Sequence, residues 1–309
     1  MSGDTTLNPA PRAQSDTRRK MRHRGNGLFW ILPALVLSVG LIYYSIGYTL
    51  YVSTLKWDGF SPNPEFVGAD NYAQALNDPV FWMAIGHTLL SFIVTFSFQV
   101  AIGVTLAALL HSNPWFGGVY RVLVFIPVIL APAITAPVFR QIFAPDGQLN
   151  AILEVIGLGE FAQPWLAQTS TALPMLMIIM IWHGAGLSFI LYYAAMSQIE
   201  PEVLEAAELD GAGNFRKMIS IIWPSVRGTT IVLATLNAIA SLKAFDIPYL
   251  VTAGGPNFAT EYLGTMIYRI SIRLTQVGYG AALSVLLLIM ALVIGIVLNS
   301  RRINGKRGQ

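Results

Sequence analysis

The 309-residue sequence contains no cysteine. Disulfides, thiolate zinc clusters and thiol nucleophiles are therefore excluded. Charge is also scarce: Asp, Glu, Lys and Arg make up 11% of the residues, where an ordinary soluble domain carries about 25%. Too little charge is present to clothe a water-soluble surface. The formal net charge of +3 is too small to point to a nucleic-acid partner. No Gly-x-x-x-x-Gly-Lys-Ser/Thr phosphate loop occurs, so ATP hydrolysis by this chain is not expected. His87, His111 and His183 lack metal-site spacing and read as ordinary polar contacts, so no metal site is expected.

Apolar side chains make up 54% of the sequence, and they fall in long uncharged blocks. A hydrocarbon core of roughly 30 Å takes about 20 apolar helical residues, and an ionised side chain at mid-membrane costs several kcal/mol. The blocks predict an all-α polytopic membrane protein with about six transmembrane helices, near 28–51, 85–110, 122–143, 173–196, 229–251 and 278–298. Pro127, Pro132 and Pro137 fall in the third and are expected to bend it. The first 27 residues are polar, with Arg18, Arg19, Lys20, Arg22 and Arg24 at their end, and read as a disordered tail. The domain plan is that tail, a transmembrane body over 28–298 and a short tail over 299–309.

Lysine and arginine placement sets orientation. With the amino terminus inside, 14 of the 19 fall in cytoplasmic segments, and Lys56, Arg269 and Arg273 fall outside. Both termini are thus expected in the cytoplasm of a bacterial inner-membrane protein. The external connections hold Trp57, Phe60, Phe66, Tyr72, Phe81, Trp82 and Trp165 and are expected to be structured.

The most informative stretch lies over 199–225, between the fourth and fifth spans. Pro201 suits a first helical turn, where its missing N–H costs nothing. Glu202 and Glu205 favour the positive helix end, and Gly211 can adopt the left-handed conformation that stops a helix. A second helical run over 215–223 leads to Pro224. This is a short helix–turn–helix, too polar to insert. Its spacing resembles the EAA loop of ATP-binding-cassette import permeases: Glu205-Ala206-Ala207, then Gly211, Ile221 and Pro224 in register, with Trp223 at a position that usually holds Leu. Phe245-Asp246-Ile247-Pro248-Tyr249 running on to Gly254-Gly255-Pro256 and Thr260 resembles carbohydrate permeases of the maltose and glycerol-3-phosphate class.

The resemblance covers about 28–298 and implies a partner set and a mechanism. The EAA loop would seat as a coupling helix in an ATPase dimer that binds ATP and magnesium, this chain binding no cofactor itself. Glu205 would meet a basic residue of that ATPase, Ala206 and Ala207 would permit close approach, and Gly211 would set the bend. A second permease subunit, an extracytoplasmic substrate-binding protein and membrane lipid complete the set. A permease for a non-sugar solute and an integral membrane enzyme are the alternatives, and no nucleophile–base cluster supports the latter.

In the fifth span Asn237 and Ser241 are four apart and share a helix face. Two readings stay open for them: hydrogen bonds to sugar hydroxyls in the pathway, or interhelical contacts. Lys243 and Asp246, three apart, are expected to neutralise each other at a helix end. Gly254, Gly255 and Pro256 read as a family motif or structural turn.

Overall fold

The structure, a computed structural model, describes residues 27–111 and 117–305. All but the last residue of the expected amino-terminal tail lies outside the described residues, as do 306–309 of the carboxyl tail. Contacts divide the chain after Gly47. Residues 27–47 belong to α1 (Gly27–Val52), in which most of the large apolar side chains from Trp30 to Tyr51 are exposed and Val52 is buried.

Beyond Gly47 come a two-residue hairpin (β1 Leu55–Lys56, β2 Glu65–Phe66), α2 (Asp70–Asn77), α3 (Pro79–His111), α4 (Gly117–Ile129), α5 (Pro132–Ile142), α6 (Gln148–Val155) and α7 (Ala172–Met196). The EAA segment follows as α8 (Pro201–Leu209), α9 (Asn214–Lys217), a π turn (Met218–Ile222) and α10 (Trp223–Ser225). The chain closes with α11 (Arg227–Leu242), α12 (Asp246–Thr252), α13 (Leu263–Tyr268), a second π turn (Arg269–Arg273) and α14 (Val277–Gly305).

Among the described residues, four helices carry stretches long and apolar enough to cross a bilayer: Trp30–Val52, Pro79–Leu110, Ala172–Met196 and Val277–Val297. Two bent pairs bring the count to as many as six. The expected third span is not one helix. It breaks into α4 and α5, inclined at 96°, where Ala131 is extended and Pro132 opens the new helix. Pro132 lacks the N–H that would continue α4, and it forces the preceding residue out of helical geometry. Pro127 and Pro137 sit inside the two halves. The expected fifth span is also corrected: its helix stops at Leu242, and 229–251 is two helices separated by 243–245.

In lipid the hydrophobic effect does not drive helices together, so close packing and polar contacts must. α3 and α7 run side by side in the same direction. Val94 packs on the cluster that holds Leu173, Leu176 and Met177 towards one end, and Val104 and Ala107 share a second cluster with Phe189, Tyr192 and Met196 towards the other. Gly103 makes the approach possible, since a Cβ there would lie 2.8 Å from the Ser188 Cβ. Between the two clusters the buried Gln99 amide donates to the Met180 carbonyl at 2.9 Å. α11 returns in the opposite sense, with Leu233 in the second cluster and the Tyr192 hydroxyl 2.8 Å from Thr230 Oγ1.

The two ends of this bundle differ. The end formed by 53–78, 143–171 and 253–276, here called the loop end, is ordered by buried amides. Asn71 donates to the carbonyls of Ser53 and Leu55 at 2.8 and 2.9 Å, fixing the hairpin. Asn150 donates to the carbonyls of Pro145 and Gln163, and its oxygen accepts the Trp165 indole N–H at 2.7 Å and the Gln163 amide. The expected structured connections are present, and their aromatics divide: Phe81 is buried beneath α13 and α14, while Phe60 and Phe66 are exposed. Asp58 accepts N–H and hydroxyl hydrogen bonds from Ser61 and the Phe60 N–H, which hold its carboxyl down at about 2. The opposite end carries residues 200–226.

Candidate functional site

Glu200 is extended and Pro201 opens α8, as its fixed φ favours. The helix stops in a Schellman turn: the Gly211 N–H donates to the Glu208 carbonyl at 3.0 Å and the Ala212 N–H to the Ala207 carbonyl at 2.9 Å. Gly211 has φ +77°, with nothing within 4 Å of where a Cβ would sit. Conformation rather than space selects glycine here. Gly213 precedes α9, and Lys217 Nζ reaches back to Glu208 Oε1 at 2.5 Å, pinning the two short helices together. No residue of 200–225 is buried. Glu205, Ala206, Gly211 and Pro224 are exposed, Ala207 and Ile221 half-buried, while Leu209 and Phe215 are 90% and 79% exposed. Large apolar side chains held out on a rigid polar bend mark a surface made for contact.

Pro224 explains the joint beyond. It has no N–H for the carbonyl of Ser220, and its ring crowds that carbonyl. The preceding turn widens instead: the Trp223 N–H bonds to the Met218 carbonyl, five residues back, in a π turn that contains Ile221. The helix over 214–225 then meets α11 at 66°, across the fully buried Val226.

On α11 the Asn237 amide is half-buried and donates back to the Leu233 carbonyl at 3.3 Å. Ser241 is 3% exposed and borders a cavity of about 240 Å³ with Thr88 and Phe92 of α3 and Val293 and Val297 of α14. The expected Lys243–Asp246 pair does not form. Lys243 caps α11 and Asp246 begins α12, and the break at Phe245 (φ −139°, ψ −55°) removes the helical turn that would have stacked them. Both are exposed, and neither has an ion-pair partner among the described residues. His183 also departs from expectation, since its Nδ1 is buried without a hydrogen-bond partner among the described residues.

The Gly254-Gly255-Pro256 segment forms a tight loop. Ala253 and Gly254 have φ of 52° and 88°, and the Gly255–Pro256 bond is cis. The Thr260 hydroxyl donates to the Gly255 carbonyl at 2.6 Å, and its oxygen lies 2.8 Å from that of Thr252. Gly254 is required for space as well as conformation: a Cβ there would lie 2.1 Å from Glu261 Oε2. Glu261, 1% exposed, pairs with Arg269 Nε at 3.3 Å. Burial pushes its carboxyl up, and Arg269 pulls it the other way. The Arg269 guanidinium stands 4.7 Å over the Phe258 ring, His87 Nδ1 donates to the Glu261 carbonyl at 2.9 Å, and the Ser91 and Tyr262 hydroxyls are bonded. The sequence reading treated Arg269 only as an external cation and missed this pair. An acid eight residues ahead of an arginine in an otherwise apolar stretch was the available signal.

Residues 99–304 match the family model described as the inner membrane component of binding-protein-dependent transport systems. A probable ABC transporter permease of Bacillus subtilis is 31% identical over 271 residues, covering 86% of this chain and 92% of that protein. The permease of a diacetylchitobiose uptake system from Streptomyces coelicolor is 30% identical, covering 92% and 85%. A lactose transport permease of Rhizobium radiobacter is 28% identical, covering 87% and 91%. Among solved structures, a bacterial ABC transporter that imports alginate superposes with a TM-score of 0.77 at 23% identity, covering 90% of this chain and 96% of that one.

Proposed function

Because the chain belongs to the family of inner-membrane components of binding-protein-dependent transport systems, we propose that it is one permease subunit of an ATP-driven importer for a sugar or sugar derivative. The relatives named for diacetylchitobiose and lactose support the substrate class. So does the Phe245–Asp246 to Gly254-Gly255-Pro256 segment, which the sequence shares in kind with carbohydrate permeases. The observation that carries the reading is the exposed EAA bend, with Leu209 and Phe215 left largely uncovered by the described residues.

In this reading residues 199–225 lie in the cytoplasm and dock on an ATPase dimer that holds ATP and magnesium. Both termini are cytoplasmic, the loop end faces outward to receive a loaded binding protein, and a second permease completes the pathway. Asn237 belongs to that pathway, while the burial of Ser241 between α3 and α14 favours a role in helix packing. Closure of the ATPases moves the bend, and the 66° joint hands that motion to α11. The test is Leu209→Asp with Glu205→Lys in membranes. The expected result is normal insertion with loss of ATPase co-purification and of ATP-driven uptake of labelled lactose or diacetylchitobiose. Unchanged ATPase recovery and uptake would overturn the reading. A wild-type protein that carries only non-sugar solutes would keep the permease and discard the sugar.

A further inference from the structure

The 16 residues of α11 rise about 24 Å, less than the roughly 30 Å of a hydrocarbon core. Its break at 243–245 therefore falls before the far edge of the membrane. Irregular backbone at such depth persists only when buried in protein or facing water, and interrupted spans are where transporters hold their solutes. Here the break leaves Lys243 and Asp246 exposed and unpaired among the described residues, which rules out a face against hydrocarbon.

Three rings gather beside it. Phe245 and Tyr249 stack at 5.1 Å with planes 13° apart, Tyr268 stands edge-on to Tyr249 at 4.8 Å, and Phe245 lies 5.4 Å from Tyr268. All three are half-buried, so part of each ring is open. The Tyr249 hydroxyl donates to that of Tyr268 at 3.4 Å, leaving the Tyr268 proton free to be given elsewhere. Isolated exposed rings such as Phe60 and Phe66 fit an interfacial belt. A packed trio, with a carboxylate and an ammonium beside it in the chain, has a different chemistry. It combines an apolar π surface with a small set of donors and acceptors, as ligand sites do. A pyranose has the matching form, with C–H groups on its face and hydroxyls at its rim.

We propose that Phe245, Tyr249 and Tyr268 form an aromatic platform that takes the face of a sugar ring at the loop-end mouth of the pathway, with Lys243 and Asp246 bonding its hydroxyls. This rests on the sugar-importer reading, and the two fail separately. The complex that co-purifies with the chain is reconstituted in vesicles with saturating binding protein, and labelled lactose and diacetylchitobiose uptake is measured against ATP hydrolysed. If wild type carries neither sugar, the sugar assignment falls and the platform with it, while the permease reading stands. With a carried sugar, Tyr249→Leu should lower sugar moved per ATP hydrolysed about tenfold, the loss expected for one ring contact. Tyr249→Phe, which keeps the ring, should stay within about twofold of wild type. A packing defect would lower hydrolysis and uptake together. If the leucine variant does not fold and insert into the membrane, Asp246→Asn carries the test, with a loss of at least about threefold expected from one charged hydrogen bond. An unchanged ratio in these variants overturns the platform, and so does loss of the second permease from the Tyr249→Leu complex, which would make the surface a subunit contact.

Discussion

The two ends of the bundle treat polar groups in opposite ways. At the loop end Asn71, Asn150, Thr260 and Glu261 are buried, and each is answered by groups of the same chain. At the EAA end nothing over 200–225 is buried, one ion pair ties α8 to α9, and Leu209 and Phe215 stand free. The buried polar groups of the first end are satisfied within the chain. The other has a fixed shape and an unfinished surface, which is what a docking element needs: rigidity without self-satisfaction.

This contrast predicts that stability resides at the loop end, and four substitutions probe it in descending order. Gly254→Ala drives a methyl into the Glu261 carboxylate at a backbone of φ +88° and disturbs a buried pair. It should cost about 3 kcal/mol or more and visibly lower the melting temperature of the detergent-solubilised protein. A melt equal to wild type would break the comparison. Asn150→Ala orphans the Trp165 indole and the Gln163 amide together with two carbonyls, for about 2 kcal/mol by the same measurement. Gly211→Ala meets open space but keeps an unfavourable φ of +77°, so about 1 kcal/mol of local strain is expected. Its effect should appear in ATPase capture by pull-down rather than in the melt. Glu208→Gln removes an ion pair whose carboxylate is 61% exposed, worth less than about 0.5 kcal/mol. A melt shift of several degrees from that change would mean that the EAA end is not the soft partner assumed here.

Much of this was legible in the chain itself. Uncharged length gave four continuous spans, because the bilayer enforces that pattern whatever the tertiary contacts are. Pro201 and Gly211 gave the limits of α8 to within two residues, because both act through local backbone geometry. The 96° turn at Pro132 was visible only as a bend, since three prolines compete for it and packing against α7 decides. Lys243 and Asp246 marked a helix end within the apolar stretch 229–251, and the helix does stop at Leu242, but the backbone break at Phe245 that parts the two charges carries no sequence signal. Asn150 escaped for another reason: most of its partners are backbone groups, which carry no sequence signal, while Glu261 and Arg269 left only an acid eight residues ahead of an arginine, a spacing that does not by itself specify a pair.

The widened turn at 218–222 also works as a phase shifter. Each residue added to or removed from a helix rotates everything beyond it by about 100°. Deleting one residue between Met218 and Ile222 would spare the EAA bend, Pro224 and all of α11, and because Pro224 still offers no N–H the turn would stay wide and the residue would be lost from the helical run before it. The bend would nonetheless point about a quarter-turn away. A docked motor would then push along the wrong azimuth, so the number of residues in this joint is as much a part of the transmission as their identity.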